Sequence, residues 1–581
     1  MLEAANQGKQ WVGMNMVRIS RLAFGTVVFA CSAALHAASP EAAYGERGMV
    51  TSRSRLATEV GVDILRQGGN AVDAAVATAF ALAVTYPSAG NIGGGGFAVV
   101  RLPNGEVVTL DHREKAPLSA FRDMYLDAQG EVIRGLSTRS HMAAGVPGSV
   151  DGLLHLLETY GSLSRRKVMA PSIRLARRGF DLDLDLARQF ERRLPAMRQY
   201  PASIAKFSKQ GTPYVAGERW EQPDLARTLG RIASKGRAGF YAGPVAQQIV
   251  AEMERGGGDI TLEDLATYRS VWRDPVRGTY RGYEIWSMGP PSSGGVLLVQ
   301  MLNMLESWDL AGMGYGSAAA VHLMVEAERR AYADRAEFLG DPDFYDVPQA
   351  ALVSKGYAQR RFADFDPDRA APSDSIGPGN VALPNESRET THFSVMDGDG
   401  MMVAFTTTLN SGYGNKIVVP GTGILLNNEM NDFSIRDNTP NQFELIGRDA
   451  NAIEPGKRML SSMAPTIVTK DGKPFLITGS PGGSTIITTT LQVIVNVIDH
   501  GMGIDDAVAA PRFHHQWKPD SVLFERHGLS PDTKELLAGK GHRFREARFG
   551  RGIGDANSIL VKDGRMYGAK DPRAQGGAFG F

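Results

Sequence analysis

The feature that most constrains this chain is its change of character at Thr390. Residues 366–389 are rich in Asp, Pro, Ser and Asn and short of apolar side chains. THFSVMD and MMVAFTTTL then alternate apolar and β-branched residues around Gly398-Asp399-Gly400, which is the pattern of a hairpin. The polar stretch therefore reads as an exposed, flexible segment, and Thr390 as the start of a strand. Further strands are expected at 423–427, 465–470 and 474–480, and a helix opens at Ser484-Thr485. The first half has the same mixture. Residues 56–85 predict two helices broken at Gly68-Gly69-Asn70, a C-cap and turn signal. The second of these is apolar on nearly all sides and is expected to be buried. NIGGGG at 91–96 reads as a glycine loop, followed by strands FAVVRL and EVVTLDH around Pro103-Asn104-Gly105. Residues 141–345 are mostly helical in pattern, with an interruption at GPPSSGG, 289–295. Strands and helices in both halves predict a layered α/β protein around a buried sheet.

Composition removes several function classes. Lys and Arg number 63 and so do Asp and Glu, for a net charge of zero. Nothing electrostatic favours nucleic acid or an anionic membrane as partner. The 67 glycines in 581 residues exceed the usual ~7% without a collagen-like period, so tight turns and close backbone approaches are expected. Length alone suggests about four domains. The single cysteine, Cys31, excludes an intrachain disulfide and a cysteine-based metal site. The apolar run 22–35 follows Arg18 and Arg21 and precedes Ala37-Ala38, the pattern of a secretory signal cut after Ala37. It is short for a membrane span. Residues 1–13 read as an upstream extension, with Met14 or Met16 a more typical start. A periplasmic or secreted protein is expected. The loose lipoprotein-like box ending at Cys31 leaves a lipid anchor as the alternative.

Chemistry concentrates at Glu389-Thr390-Thr391-His392. A threonine hydroxyl is a poor nucleophile without an adjacent base. If the bond before Thr390 is cut, the freed α-amine, with a pKa near ~8, lies within reach of its own Oγ. The plain alternative is a β-branched strand start without chemistry. GSPGGS at 479–484 likewise fits either an oxyanion site or an ordinary strand-to-helix turn. It lacks the Gly-Lys-Ser/Thr ending of a phosphate loop. His514 and His515 are adjacent and would face opposite sides of a strand. No His-Glu-x-x-His is present, so both are read as structural and no metal is expected. His392 is assigned no role.

The stretch 390–410, GILLNNEMNDFS at 423–434, LSSMAPTIV at 460–468 and GSPGGS at 479–484 resemble the γ-glutamyltransferases. So do DHREKAP at 111–117, ILRQGGNAVDAAVA, AGNIGGGGF at 89–97, PPSSGG at 290–295 and PRFHHQW at 511–517. The resemblance runs from about residue 45 to the C-terminus. It implies an α/β fold, the four-layer αββα sandwich of the N-terminal-nucleophile hydrolases, with both segments interlocked in one unit. It implies self-cleavage between Glu389 and Thr390, into a large chain of 38–389 and a small chain of 390–581.

By the same resemblance Thr390 becomes the nucleophile, Thr408 orients it, and Gly482 and Gly483 form the oxyanion hole. Arg113, Ser461 and Ser462 take the α-carboxylate of the donor. Asn410, Glu429 and Asp432 take its α-amino group. The implied donors are glutathione and other γ-glutamyl compounds, with water, amino acids or dipeptides as acceptors and no cofactor. The segment 434–458 matches a lid, with Phe443 where lidded relatives carry Tyr. Two alternatives stay open. Cephalosporin acylases share the scaffold but replace the aspartate at position 432 with a neutral residue, so Asp432 favours a γ-glutamyl over a glutaryl donor. A periplasmic solute-binding protein would use Arg113 and Asp432 without turnover and has no reason to possess the Thr390 junction.

Overall fold

The helix break at 67–70 forms for the reasons its residues suggest. Ser54 caps α1 (Arg55–Arg66), and Asn70 with Asp73 makes a capping box on α2 (Ala71–Thr85). Gly68 turns the chain between them at φ +86°. Every residue of α2 is buried. The other helices that position the site are α3 (Ser149–Tyr160), α4 (Leu184–Met197), α5 (Gly294–Leu305), α6 (Ala318–Phe338) and α7 (Thr485–Ile498). The computed structural model describes residues 39–379, 390–436, 439–442, 444–445, 449–547 and 552–581. The expected signal with Cys31, the junction residue Glu389 and the lid residue Phe443 lie outside the described residues.

Two seven-stranded sheets organise the chain. In chain order their strands are β1 (Ala43–Gly45), β2 (Gly48–Ser52), β3 (Gly95–Arg101), β4 (Val107–Asp111), β5 (Val271–Arg273), β6 (Val276–Tyr280) and β7 (Tyr283–Ser287). After the polar segment come β8 (Thr391–Asp397), β9 (Met402–Thr408), β10 (Thr466–Lys470), β11 (Lys473–Thr478), β12 (Ser558–Lys562), β13 (Arg565–Ala569) and β14 (Gly577–Gly580). The first sheet runs β1-β13-β12-β11-β10-β7-β6 and the second β14-β2-β8-β9-β3-β4-β5. Neighbours within each are antiparallel.

Alternation along the strands separates three cores. Phe393, Val395, Val403 and Phe405 pack with α1, α2 and α3. Met396, Met402 and Ala404 point the other way and meet Ile467, Ile477 and Ile559 of the first sheet. On that sheet's far side Val468, Leu476 and Leu560 pack with α5, α6 and α7. The layers are therefore helix, sheet, sheet, helix. Residues 39–581 form one compact unit, so the several domains suggested by length are not built. Among the described residues no helix is long and apolar enough to cross a membrane.

Three local expectations fail for identifiable reasons. Residues 423–427 form no strand. Ile424, Leu425 and Leu426 are buried in the helix-side core, but only a single bridge, Val418 to Leu425, joins them to a neighbour. Gly421 and Gly423, at φ +72° and +71°, turn the backbone too sharply for a ladder. The hairpin β6–β7 lies inside the stretch read as mostly helical. Its signal was VRGTYRGYEIWS, β-branched and aromatic residues around Arg281-Gly282. The part of the polar segment that is described, 366–379, is mostly exposed as expected, but it is anchored at points. Trp517 Nε1 donates to the carbonyls of Ser373 at 2.8 Å and Ile376 at 2.7 Å, and both residues are buried.

Strands from after residue 390 lie between strands from before it in both sheets. A backbone cut between 379 and 390 should therefore leave the two pieces bound as one species. Size-exclusion chromatography of cleaved protein should show co-elution, and denaturant should unfold both pieces in a single transition.

Candidate active site

The β8–β9 register pairs Thr391 with Thr407 and His392 with Thr406. One step further sets Thr390 opposite Thr408. Both then share the face of His392, Ser394 and Met396, which looks toward the other sheet. Thr390 is buried to 7% exposure. The glycine loop clamps this strand end. Asn91 Nδ2 donates to the Thr408 carbonyl at 2.7 Å, and its Oδ1 accepts from Gly94 N at 2.8 Å and Ser149 Oγ at 2.7 Å. A Cβ on Gly94 would stand 1.9 Å from the Thr408 carbonyl oxygen, so only glycine fits. Thr408 Oγ1 accepts from Asn410 N at 2.7 Å, coupling the residue opposite Thr390 to the next part of the site.

Gly482 and Gly483 form the turn between β11 and α7, at φ +130° and +67°. Thr485 Oγ1 donates to the Gly482 carbonyl at 2.6 Å and holds the turn. Among the described residues neither glycine N–H has an acceptor. The positive end of α7 adds to their pull on an anion. Gly479, just before the turn, packs on the ring of His392 in β8, which leaves no room for a side chain: a Cβ there would lie 2.5 Å away. Behind the turn, Asp555 N donates to Ser480 Oγ at 2.9 Å, and the Asp555 carboxylate pairs with Arg53 Nε at 3.0 Å.

The charged pocket is built around Arg113, which is fully buried just past the end of β4. Asp111 Oδ1 accepts from its backbone N at 2.9 Å, and Tyr268 OH donates to its carbonyl at 2.8 Å. Its guanidinium donates to Glu429 through Nη1 and to Asp432 through Nη2. Nε donates to the Met459 carbonyl at 3.1 Å and Nη2 to that of Leu460 at 3.2 Å, which brings in the segment carrying Ser461 and Ser462. Glu429 and Asp432 occupy one 3-10 turn. Asn410, held at φ +68°, donates from Nδ2 to Asp432 Oδ1 at 2.5 Å, while its Oδ1 is buried without a partner. Ser461 Oγ accepts from Met463 N at 3.1 Å, so it shapes the turn before β10. Arg113, Asn410, Glu429, Asp432 and the 459–462 segment are thus gathered in one place. Thr390 and Thr408 sit at paired strand ends, and Gly479, three residues before the Gly482-Gly483 turn, lies against the His392 ring.

Sequence reasoning passed over several groups. Glu114 Oε2 lies 3.5 Å from Arg113 Nη1, making three buried carboxylates around one cation. Burial, with Glu429 beside it, raises the Glu114 pKa well above the usual range, and burial raises that of Glu429 against the pull of Arg113. The signal for Glu114 was its place directly after Arg113. His392 pairs with Thr406 Oγ1 at 2.9 Å and Ser394 Oγ at 3.1 Å. Burial lowers its pKa to about 3, so it stays neutral. His514 pairs with Ser484 and Thr488 hydroxyls, and His515 with Asp520. Among the described residues His322, Glu326 and His542 also come together. Glu326 there is held by Arg329 and Arg330, and His322 by His542 and the Asp366 carbonyl.

A sandwich of two flanked antiparallel sheets, with a threonine at the head of a central strand, is the architecture of the N-terminal-nucleophile hydrolases. The γ-glutamyltranspeptidase family matches residues 57–581, and the chain belongs to that family. It is 51% identical over 533 residues to the glutathione hydrolase proenzyme of Escherichia coli strain K12, covering 91% of each. The Helicobacter pylori gamma-glutamyltranspeptidase structure is 48% identical, with a TM-score of 0.56 over 56% of this chain and 94% of that one. A cephalosporin acylase from Bacillus halodurans is 28% identical, with a TM-score of 0.84 over 96% of this chain and 99% of that one. Membership in a family of enzymes sets aside the solute-binding alternative.

The neutral, buried His392 has a consequence for stability. Below about pH 6.5 the unfolded chain protonates this imidazole, whereas the fold excludes the proton until about pH 3. Stability from this group is whole above 6.5 and falls by about 1.4 kcal/mol per pH unit below it. His392→Gln should melt lower at pH 7 yet lose less on acidification from pH 7 to 5, a difference of about 2 kcal/mol. Thermal melts at the two pH values check this, and equal losses in both proteins would contradict it.

Proposed function

We propose that this chain is a secreted or periplasmic zymogen that cuts itself between Glu389 and Thr390. Thr390 Oγ attacks the Glu389 carbonyl, and water hydrolyses the resulting ester. A large chain of about 38–389 and a small chain of 390–581 result, the latter beginning with a free α-amine. That amine, with a pKa near ~8, takes the proton from Thr390 Oγ in each later attack. The Helicobacter pylori chain supports a divided polypeptide, since 94% of it matches only 56% of this one.

The mature enzyme acts on the γ-amide of glutathione and related γ-glutamyl compounds. Arg113 takes the α-carboxylate in its planar fork, with the Ser461 and Ser462 hydroxyls as further donors. Glu429, Asp432 and Asn410 receive the α-ammonium. Thr408 holds Thr390 in line, and the Gly482 and Gly483 N–H groups stabilise the tetrahedral oxyanion, each donor contributing about 3 kcal/mol or more in comparable sites. A γ-glutamyl ester forms on Thr390, and cysteinylglycine leaves with the proton. Water, an amino acid or a dipeptide then takes the acyl group. By the family resemblance the segment 434–458, with Phe443, would act as a lid over the donor pocket, and within it Gln442 Oε1 accepts from Ser411 Oγ at 3.1 Å. The chemistry requires no metal or organic cofactor.

The observation that carries this reading is the direct contact of Arg113 with both Glu429 and Asp432. The cation and the two anions hold one another here, and the carboxylate and ammonium of an amino-acid head group would take over those contacts. A glutaryl acylase is the second reading, favoured by the similarity to the cephalosporin acylase. A glutaryl group brings no ammonium, so it would leave buried carboxylates short of partners once it claimed Arg113.

Intact mass and N-terminal sequencing should show two chains for the wild type, one beginning at Thr390, and a single chain for Thr390→Ala. Asp432→Asn should lower kcat/KM for a γ-glutamyl anilide about thirtyfold or more, equivalent to about 2 kcal/mol. Turnover of the matching glutaryl anilide should fall less. Equal losses on both donors would contradict the ammonium role.

A further inference from the structure

The turn between β11 and α7 reads Ser480-Pro481-Gly482-Gly483-Ser484-Thr485, with a hydroxyl on either side of the glycine pair. Ser480 Oγ donates to the Pro481 carbonyl at 2.6 Å, and Thr485 Oγ1 donates to the Gly482 carbonyl at 2.6 Å. Both peptide bonds that follow these carbonyls are trans. A trans peptide unit is planar, so its C=O and its N–H point in opposite directions and turn together. The Pro481 carbonyl shares its plane with the Gly482 N–H, and the Gly482 carbonyl shares its plane with the Gly483 N–H. Each hydroxyl therefore grips the back of one of the two N–H groups that have no acceptor among the described residues.

Such a grip is needed at this turn. Gly482 and Gly483 have φ values of +130° and +67°, a backbone path that glycine allows but does not hold, because no Cβ restrains it. The hydroxyls supply the restraint. Ser480 and Thr485 are buried, so water competes little for either carbonyl. The Ser480 hydroxyl is itself oriented, since its Oγ accepts from Asp555 N at 2.9 Å and its proton is left for the Pro481 carbonyl. A hydrogen bond accepted at a carbonyl also polarises the amide and strengthens its N–H as a donor. The two hydroxyls thus act on direction and on donor strength at once.

We propose that Ser480 and Thr485 are positioning residues for the oxyanion hole, their hydroxyls fixing and polarising the two peptide units that present the Gly482 and Gly483 N–H groups. The inference rests on the reading of those N–H groups as the oxyanion donors. Both residues act through the backbone and not on the substrate. Their effect is greatest where negative charge on the substrate oxygen is greatest, in the tetrahedral transition states of acyl transfer onto Thr390 and off it. Ground-state binding of the glutamyl head group, which belongs to the Arg113 pocket, does not draw on them.

The test uses matured protein, with rates referred to the amount of chain beginning at Thr390. Thr485→Val keeps the shape and removes the hydroxyl, whereas Thr485→Ser keeps the hydroxyl and removes a methyl. In hydrolysis of γ-glutamyl-p-nitroanilide, Thr485→Val should lose about tenfold in kcat and in kcat/KM alike, with KM unchanged. Thr485→Ser should stay within about threefold of wild type, the reverse of the order that packing alone would give. Ser480→Ala should lose about tenfold in the same way. A boronic acid analogue of glutamate, which forms a tetrahedral adduct on the nucleophile, should bind Thr485→Val and Ser480→Ala about tenfold more weakly, while glutamate itself binds as it does to wild type. A Thr485→Val variant that keeps the wild-type kcat, loses only in KM, or loses no more than Thr485→Ser overturns the assignment of Thr485. Unchanged kcat in Ser480→Ala overturns that of Ser480. Wild-type protein that binds the boronate no tighter than glutamate would instead overturn the oxyanion reading itself.

Discussion

The insertion of β8 and β9 between β2 and β3 is the constraint on which the rest of the structure depends. It places the residue at the head of β8 in the middle of a sheet, where neighbours fix its backbone on both sides. It also makes the segment before it dispensable as a tether, since backbone pairing on both flanks holds the later strands. The other sheet repeats the device, with β10 to β13 lying between β1 and β7. A single chain can therefore be divided at one peptide bond and remain one body, and a strand start can become a chain terminus without losing its position.

Around that strand end the structure uses glycine for proximity and charge for selectivity. Gly94 lets the loop at 91–96 close on the Thr408 carbonyl, and Gly482 lets the β11–α7 turn present its N–H groups. Neither position tolerates a side chain without displacing what it touches. The pocket of Arg113, Glu114, Glu429 and Asp432 places one cation among three carboxylates in a water-poor interior. Burial raises the Glu114 and Glu429 pKa values against the pull of Arg113, and repulsion from Glu429 raises that of Glu114 further, so this arrangement disfavours full ionisation. In the proposed reading, an incoming ammonium would give these carboxylates a cationic partner while the α-carboxylate of the same head group takes Arg113, which a simple acid could not do.

Much of this was legible in the sequence. The helix pair α1–α2 followed from its Gly-Gly-Asn break, and β3–β4 and β8–β9 from alternation around turn residues. The charged pocket followed from a resemblance carried by DHREKAP and NNEMNDFS, and the structure brings those distant segments together. What misled the reading was context. ILL at 424–426 has the composition of a strand but is buried without a ladder, because burial and β-pairing are separate properties and only the first is written in hydrophobicity. The hairpin β6–β7 was hidden by long helical patterns on either side. Residues 366–379 look solvated by composition, yet Trp517, far along the chain, holds two of their carbonyls.

By itself the sequence determined which segments alternate, where chains turn, and which residue types were available for nucleophile, oxyanion and head-group recognition. These are properties of nearest neighbours and of local period, and they survive without a fold. Only the tertiary structure decided that Glu114 joins Glu429 and Asp432 at one guanidinium, and that His392 is a neutral spacer under Gly479. Only it decided that Arg53 and Asp555 back the turn that carries Gly482. Each of those depends on distances between residues tens to hundreds of positions apart. Such distances are set by how the two sheets pack, and no local pattern encodes that.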